Sequence, residues 1–236
     1  TKKMLARKAE KICVAYEGME RFFPKEKIVF TGNPVRADIE QMNVTTAEGR
    51  AHFGLEAEGR VLLSVGGSLG ARSINEMIIS HLHFFRENNI QLLWQTGRWM
   101  YDEAVAAVEQ AQASQWVKVH QFIPRMDMAY AAADIVVSRA GAIAISELCL
   151  VGKPVVLIPS PNVAEDHQTK NALALVDRGA AVMVKDVECN SQGLAAVKDI
   201  FDAPERQEAM CAAISKMAVR NAADKIVDQI ENLINR

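Results

Sequence analysis

A glycine-rich segment at residues 66–71 is the first place where this sequence could do chemistry. It reads Gly-Gly-Ser-Leu-Gly-Ala and follows the apolar run Val61–Val65. Glycine lets a backbone turn tightly and approach a ligand, and a helix that starts there directs free N–H groups and a partial positive charge outward. These properties suit a phosphate group. The segment is neither a GxGxxG nor a P-loop motif, however, and such a turn can also be purely structural.

A second segment, Ser138–Glu147, combines small residues with one carboxylate and again links an apolar run to a helical pattern. Small side chains would let a ligand rest on the start of the helix. Glu147 follows about one turn later, where its carboxylate could accept hydrogen bonds from the vicinal hydroxyls of a ribose. The alternative is a first-turn glutamate that stabilises the helix dipole. The spacing leaves both interpretations open.

The third segment, Asp166–Ala172, places the amide side chains of Gln168 and Asn171 at the head of a helix. Amides above the carboxyl edge of a sheet suit the hydroxyl groups of a sugar. The alternative is an N-terminal helix cap with solvated neighbours. His167 is a candidate general base, but the pattern shows neither a carboxylate nor a nucleophile paired with it.

Neither a metal nor a cofactor is expected from the sequence. The four cysteines lie in apolar stretches without a Cys-x-x-Cys pair, and we expect them to be reduced and buried in a cytosolic protein. An Asp-x-Asp pair, which could hold a metal and a diphosphate, does not follow any of the apolar runs. We therefore expect helix N-termini and backbone donors to meet the charge of a diphosphate, with residues 66–71 as the principal place.

The elements that would position these segments repeat one unit from residue 60 onward: a short apolar strand, a loop and an amphipathic helix. Strands that are apolar on both faces and alternate with helices indicate a parallel sheet covered on two sides. The sequence therefore predicts a doubly wound, Rossmann-like α/β domain. The predicted strands are Val61–Val65, Ile90–Gln95, Trp116–Gln121, Asp134–Ser138, Pro154–Ile158 and Ala180–Val184. The predicted helices are Ser73–Phe85, Tyr101–Gln112, Met126–Ala132, Ala142–Leu150, Asp166–Arg178 and Ser191–Phe201.

The two ends of the chain have a different pattern. Residues 1–35 predict a helix and two strands, Lys11–Tyr16 and Lys27–Phe30, which are too few to bury a core. We interpret them as the tail of a preceding domain with a linker, and because the chain opens without Met inside a helical pattern, we expect a fragment of a longer protein. Residues 36–218 form the predicted main domain, and residues 219–236 one amphipathic helix.

Composition and charge exclude several classes of protein. Half of the 236 residues are apolar and 24% are charged, which is typical of a soluble globular protein. The net charge of -2 argues against nucleic acid as a partner, and no apolar run approaches the roughly 20 residues of a membrane span. Residues 1–27 are basic, and they could either face an anionic membrane or form a solvated helix face.

Four motifs taken in order resemble those of one family. They are Gly-Asn-Pro-Val-Arg at residues 32–36, the glycine segment at 66–71, Arg-x-Gly-Ala-x-x-x-Ser-Glu at 139–147 and Asp-His-Gln-x-x-Asn-Ala at 166–172. Over essentially its whole length the chain resembles the peptidoglycan N-acetylglucosaminyltransferases, which convert lipid I into lipid II. The resemblance implies the GT-B arrangement of two Rossmann-like domains facing a cleft. This chain would hold the end of the acceptor domain and the complete donor domain, and its last helix would pack back toward the N-terminal domain.

The resemblance also implies which residues bind UDP-N-acetylglucosamine. Arg36 would lie near the uracil, and the backbone of Ile123 would read the uracil edge. Ser68 would contact the diphosphate, Glu147 the ribose hydroxyls and Gln168 the hydroxyls of the sugar. The helix start under the nucleotide comprises Ala142, Ile143, Ala144, Ile145, Ser146 and Glu147, and weaker contacts are expected from Gly67, His167 and Asn171. His167 stands where some members carry Gln, and Ala144 where some carry Thr, so one donor contact could be lost or replaced by water.

The implied reaction is an inverting transfer of N-acetylglucosamine from UDP-N-acetylglucosamine to the muramyl 4-hydroxyl of lipid I. The catalytic base would lie in the missing N-terminal domain, so no catalytic residue is assigned and the fragment is expected to bind the donor without turnover. The intact protein would be peripheral on the cytoplasmic face of the bacterial inner membrane, and the fragment soluble. The alternatives are a UDP-sugar 2-epimerase, another GT-B enzyme, or a non-catalytic UDP-sugar-binding subunit.

Overall fold

A computed structural model describes residues 2–16, 18–163 and 166–235. Its strands are β1 (Ile12–Val14), β2 (Ile28–Phe30), β3 (Arg60–Val65), β4 (Ile90–Gln95), β5 (Val117–His120), β6 (Ile135–Ser138), β7 (Val155–Leu157) and β8 (Val182–Met183). Its α-helices are α1 (Lys2–Lys8), α2 (Ala37–Glu40), α3 (Thr46–His52), α4 (Arg72–Ser80), α5 (Leu82–Glu87), α6 (Tyr101–Gln110), α7 (Met126–Ala132), α8 (Ala142–Val151), α9 (His167–Val176), α10 (Cys189–Phe201), α11 (Pro204–Ser215) and α12 (Ala222–Ile234).

Strands β3 to β8 form one parallel sheet in the order β5-β4-β3-β6-β7-β8. The chain moves outward from β3 to β5, returns to the other side of β3 and continues outward from β6. Counted from β3, this is the strand order of a dinucleotide-binding Rossmann domain. The direction reverses between β3 and β6, so a crevice opens beyond the carboxyl ends of these two strands.

Two apolar layers cover the sheet, one on each face. One layer collects side chains from α4, α5, α6 and α10 around Leu62 and Trp94. The other collects side chains from α7, α8 and α9 around Leu63 and Leu93. Neighbouring residues of one strand therefore point into opposite layers, as expected of strands buried on both faces. The predicted doubly wound α/β fold is confirmed.

The helices differ from the prediction in two ways. Ser73–Phe85 is not one helix, because the backbone leaves the helical region at His81 (φ -132°) and α5 starts afresh. Helices α2, α3 and α11 were not predicted at all. For α3 the signal is a capping box, in which the Thr45 hydroxyl accepts from the Glu48 N–H and the Glu48 carboxylate accepts from the Thr45 N–H. For α11 it is Pro204 at the first helical position.

The cysteine prediction is partly wrong. All four cysteines are free thiols, as expected, but Cys13 is exposed and Cys211 is half-buried. Cys13 is the exposed middle residue of β1, between half-buried Ile12 and buried Val14. Cys149 and Cys189 are buried, and desolvation raises the pKa of each thiol to about 11, so both are protonated near neutral pH.

The two ends of the chain meet beside the main sheet. Strands β1 and β2 form a parallel pair of their own. After β2, Gly32 packs so closely on Val219 that a Cβ at this glycine would lie 2.6 Å from the Val219 Cγ1. Helix α12 starts shortly afterwards and leaves apolar side chains such as Ile230 exposed. The domain boundaries after residues 35 and 218 stay predictions. No helix in the described part of the chain has the length and apolar character needed to cross a membrane.

Candidate functional site

The glycine turn Gly66–Ala71 connects β3 to α4 at the crevice. It closes through a hydrogen bond from the Gly70 N–H to the Gly67 carbonyl at 3.2 Å. Gly67 and Gly70 have φ of +79° and +85°, in the left-handed region that glycine tolerates. A Cβ at Gly67 would meet no described atom within 4 Å, and Ser68 is exposed. The tip of the turn therefore presents backbone groups and one hydroxyl to open space.

The base of the same turn is locked against the end of β4. A Cβ at Gly70 would lie 2.0 Å from the Thr96 carbonyl oxygen, and a Cβ at Gly97 would lie 2.1 Å from the Gly70 nitrogen. Asn75 of α4 donates to the same Thr96 oxygen at 2.8 Å and accepts from the Trp94 indole N–H at 3.0 Å. Because α4 has no side-chain cap at Ala71, the N–H groups of its first turn remain open to a ligand.

Gln95 joins this turn to the loop after β5. Its Nε2 donates to the Gly67 carbonyl at 3.1 Å, and its Oε1 accepts from the Ile123 N–H at 2.8 Å. The predicted site residue Ile123 has a buried side chain, so only its backbone can face a ligand, and its N–H is already engaged. Sequence reasoning missed Gln95. The available signal was a glutamine at the carboxyl end of a predicted strand, next to the motif segments at that edge of the sheet.

The start of α8 lies across the crevice from the glycine turn. Gly141 precedes the helix without a side-chain cap, and a Cβ there would meet no described atom within 4 Å. Of the residues predicted to contact the nucleotide, Ile143 is exposed and Ala142 and Ala144 are half-buried. Ile145 points into the apolar core instead.

Ser146 connects α8 to the segment after β2. Its hydroxyl accepts from the Asn33 amide at 3.1 Å and donates to the Ala142 carbonyl at 3.1 Å. These bonds use the Ser146 hydroxyl proton and one of its two acceptor positions within the protein. The contact fixes the Gly-Asn-Pro-Val-Arg segment against the helix and so brings Arg36 to the crevice.

Glu147 is half-buried in the second turn of α8, too far from the helix start for the dipole to be its main partner. The Tyr130 hydroxyl donates to its Oε2 at 3.2 Å. Desolvation raises the pKa of the Glu147 carboxyl above its ordinary value, although the Tyr130 bond and the charge of Arg36 oppose the shift. The carboxylate thus has an oriented oxygen, a nearby cation and capacity for further donors.

Arg36 lies between Glu147 and the loop after β5. Its guanidinium pairs with Asp38, donates to the Pro124 carbonyl at 2.9 Å and interacts electrostatically with Glu147. The structure therefore brings together Arg36, Ile123 and Glu147, which the sequence analysis had assigned to the uracil and the ribose.

The third predicted segment lies next to the loops after β6 and β7. The Gln168 Oε1 accepts from the Ala140 N–H at 3.2 Å and from the Ser160 N–H at 2.9 Å. The Asn171 amide donates to the Ala140 carbonyl at 3.0 Å. Gln168 thereby holds both loops with its oxygen, and its NH₂ group is the part that can donate to a ligand. His167 is exposed at the start of α9.

An ion pair to which the sequence analysis assigned no role connects the elements that surround the site. Arg139, inside the second motif, pairs with Asp186 and donates to the Ile158 carbonyl at 3.0 Å and to the Ser73 hydroxyl at 3.1 Å. Both charged side chains are mostly buried, with 18% and 22% exposure. Arg139 therefore ties the ends of β6 and β7 to the first turn of α4, where the glycine turn ends.

The arrangement can bind an anion and a polyhydroxyl compound side by side. The glycine turn and the first turns of α4 and α8 offer backbone donors for an anion. Glu147 offers an acceptor for hydroxyl groups on one side, and Gln168 offers donors on the other. The described residues include no group of three His, Cys, Asp or Glu side chains that could hold a metal ion.

Sheet order and crevice define the class of domain, a Rossmann-like domain whose binding site lies beyond the carboxyl ends of β3 and β6. Residues 61–226 match the family described as the glycosyltransferase family 28 C-terminal domain. The chain belongs to this family, which confirms the resemblance found in the sequence.

Individual relatives agree with this assignment. The chain is 52% identical over its full length to a Parabacteroides distasonis protein named UDP-N-acetylglucosamine–N-acetylmuramyl-(pentapeptide) pyrophosphoryl-undecaprenol N-acetylglucosamine transferase, and it covers 64% of that protein. The crystal structure of MurG from Acinetobacter baumannii superposes with a TM-score of 0.74 at 27% identity, covering 98% of this chain and 62% of that one. The chain thus spans slightly less than two thirds of these relatives.

A UDP-GlcNAc 2-epimerase from Neisseria meningitidis bound to UDP-GlcNAc also superposes, with a TM-score of 0.69 at 15% identity over 98% of this chain and 63% of that one. This likeness shows a shared fold alone. The alternative of an epimerase therefore has the fold in its favour, whereas the transferase has both the fold and the family match.

Proposed function

We propose that this chain is the donor-binding part of an inverting glycosyltransferase that transfers N-acetylglucosamine from UDP-N-acetylglucosamine to the muramyl 4-hydroxyl of lipid I, giving lipid II. The observation that carries the proposal is the pair of uncapped helix starts, α4 and α8, on either side of the crevice, with Glu147 one and a half turns into α8. The curated relative's name supports the acceptor and the sugar.

In the proposed complex, UDP-N-acetylglucosamine lies along the crevice with its uracil at one end and its sugar at the other. The diphosphate lies over the tip of the glycine turn, where Ser68 and the backbone of Gly67 face open space. The ribose hydroxyls donate to Glu147, and the uracil extends toward Arg36 and Ile123. The N-acetylglucosamine then lies on the other side of the diphosphate, next to the NH₂ group of Gln168. Asn171 supports this end by holding Ala140.

For the chemistry, the donor part supplies charge stabilisation rather than a base. As the glycosidic bond breaks, negative charge grows on the departing UDP, and backbone N–H groups at the helix starts stabilise that charge in place. The muramyl hydroxyl and the base that deprotonates it would come from the acceptor part of the protein. The intact protein would sit on the cytoplasmic face of the inner membrane, where its lipid-linked acceptor is held.

Calorimetric titration with UDP and UDP-N-acetylglucosamine in the presence of a chelator tests the proposal. We expect both ligands to bind, because the diphosphate is met by backbone donors. If neither UDP nor UDP-N-acetylglucosamine binds, the proposed donor site is wrong. Binding that is lost with chelator and restored by magnesium would instead show that a metal holds the diphosphate.

A further inference from the structure

Gln95 is a buried amide that connects two loops of the site. Its side chain is 3% exposed at the carboxyl end of β4. The two hydrogen bonds to the Gly67 carbonyl and the Ile123 N–H measure 3.1 and 2.8 Å. An amide has one donor side and one acceptor side, so this orientation alone satisfies both peptide groups.

The two peptide groups lie at opposite ends of the nucleotide in the donor pose, and this step rests on the proposed function. Gly67 is the open tip of the turn that faces the diphosphate. Ile123 precedes Pro124, whose carbonyl is bound by Arg36, and Arg36 in turn interacts with Glu147. A ribose held by Glu147 therefore carries its base toward the Ile123 peptide. Since Gln95 engages the Ile123 N–H, the Ile123 carbonyl, which belongs to the following peptide group, is the group that faces the edge of the base in this pose.

We propose that Gln95 is a positioning residue that fixes the distance between the diphosphate turn and the base-reading peptide. The Gly67 carbonyl accepts from the Gly70 N–H within the turn, and the Gln95 bond to the same carbonyl ties the tip of the turn to β4. With both loops fixed in advance, a ligand that spans them is bound without further ordering of the protein. A ligand that touches only one loop gains little from the link.

The test compares UDP, which spans both loops, with uridine, which reaches only one. Gln95→Met keeps the length of the side chain but removes both hydrogen bonds. Gln91→Met is the matched control, because Gln91 is 4% exposed at the other end of the same strand and accepts from the Glu56 N–H at 2.9 Å. The readout is the ratio of the dissociation constant of uridine to that of UDP, measured with folded variants.

In Gln95→Met the ratio should fall by about tenfold, the effect of roughly one lost hydrogen bond, and in Gln91→Met it should stay within about twofold of wild type. An unchanged ratio in Gln95→Met, or an equal fall in both variants, would overturn the positioning role while leaving the proposed function intact. Wild-type protein that binds neither ligand would instead refute the proposed function.

Gln95→Glu separates the two hydrogen bonds. The carboxylate can still accept from the Ile123 N–H, but it repels the Gly67 carbonyl until it is protonated. Burial favours the protonated form, which can donate to that carbonyl. The ratio of the two dissociation constants, relative to wild type at the same pH, should therefore recover as the pH falls. A ratio that does not change with pH would contradict the bond to Gly67.

Discussion

Replacement of Glu147 by Ala tests whether this carboxylate holds the ribose. The Tyr130 hydroxyl takes one position on Oε2, which leaves Oε1 free for a ribose hydroxyl. A charge-assisted hydrogen bond of this kind contributes about 1.5–3 kcal/mol. Loss of the carboxylate should therefore weaken UDP binding by about tenfold to a few hundredfold, since 1.4 kcal/mol corresponds to a factor of ten.

The assay uses UDP and 2′-deoxy-UDP in parallel calorimetric titrations. Wild type should prefer UDP, and Glu147→Ala should lose most of that preference. Glu76→Ala is the control. Glu76 lies at a similar position along α4, which also starts at the crevice, but it is exposed and pairs with Arg72. If Glu147→Ala keeps the full preference for UDP, the carboxylate does not hold the ribose and the argument is wrong.

Acidification should have opposite effects on stability and on binding at this site. Because burial raises the pKa of Glu147, the folded protein holds this proton more tightly than the unfolded chain does. The contribution of Glu147 to the free energy of unfolding therefore increases as the pH falls through the raised pKa. UDP affinity should decrease over the same interval, since the ribose needs the carboxylate. Glu147→Gln should remove both trends, as measured by denaturation and titration at several pH values.

Three further predictions concern the domain assignment, the glycine turn and Gln168. The purified chain should form no lipid II from lipid I and UDP-N-acetylglucosamine, and detectable product would contradict the domain assignment. Gly67→Ala should lower the free energy of unfolding by about 1–2 kcal/mol through left-handed strain alone. Gly70→Ala should lower the free energy of unfolding clearly more, because its Cβ would lie 2.0 Å from the Thr96 oxygen. Equal decreases for the two variants in urea denaturation would contradict the close packing of Gly70 on Thr96. Gln168→Glu keeps the acceptor for the two loop N–H groups but removes the NH₂ donor. It should therefore weaken UDP-N-acetylglucosamine about tenfold relative to UDP, and an unchanged ratio of the two affinities would show that Gln168 does not contact the sugar.

The parts of the fold that depend on local patterns could be predicted from the sequence. Most strands of the main sheet are short runs dominated by apolar residues, and β4 was predicted with its observed bounds Ile90–Gln95. Glu147 and Gln168 could be predicted as site residues because each lies in a helix that follows a strand end, in a motif with glycine, carboxylate or amide residues. Topology then brings strand ends to one edge of the sheet whatever their distance along the chain.

The connections within the site could not be predicted, because they join residues far apart in the sequence. Gln95 reaches across 28 residues to Ile123, and Arg139 across 47 residues to Asp186. Asn33 bonds to Ser146 across 113 residues. No local pattern specifies which of many polar side chains will be the partner of another. Ser146 illustrates the limit, since its place at the start of α8 could be predicted but its bond to Asn33 could not.

The hydrogen bonds of Trp94 give the protein an optical reporter at the proposed donor site. The indole is fully buried, and its N–H is linked through Asn75 to the Thr96 carbonyl on which Gly70 packs. Trp99 is exposed and Trp116 half-buried, so we expect their fluorescence emission at longer wavelengths than that of Trp94. A variant with phenylalanine at these two positions would emit from Trp94 alone. Its emission spectrum would report changes in the packing of the glycine turn on Thr96 during a titration with UDP, with no label on the nucleotide.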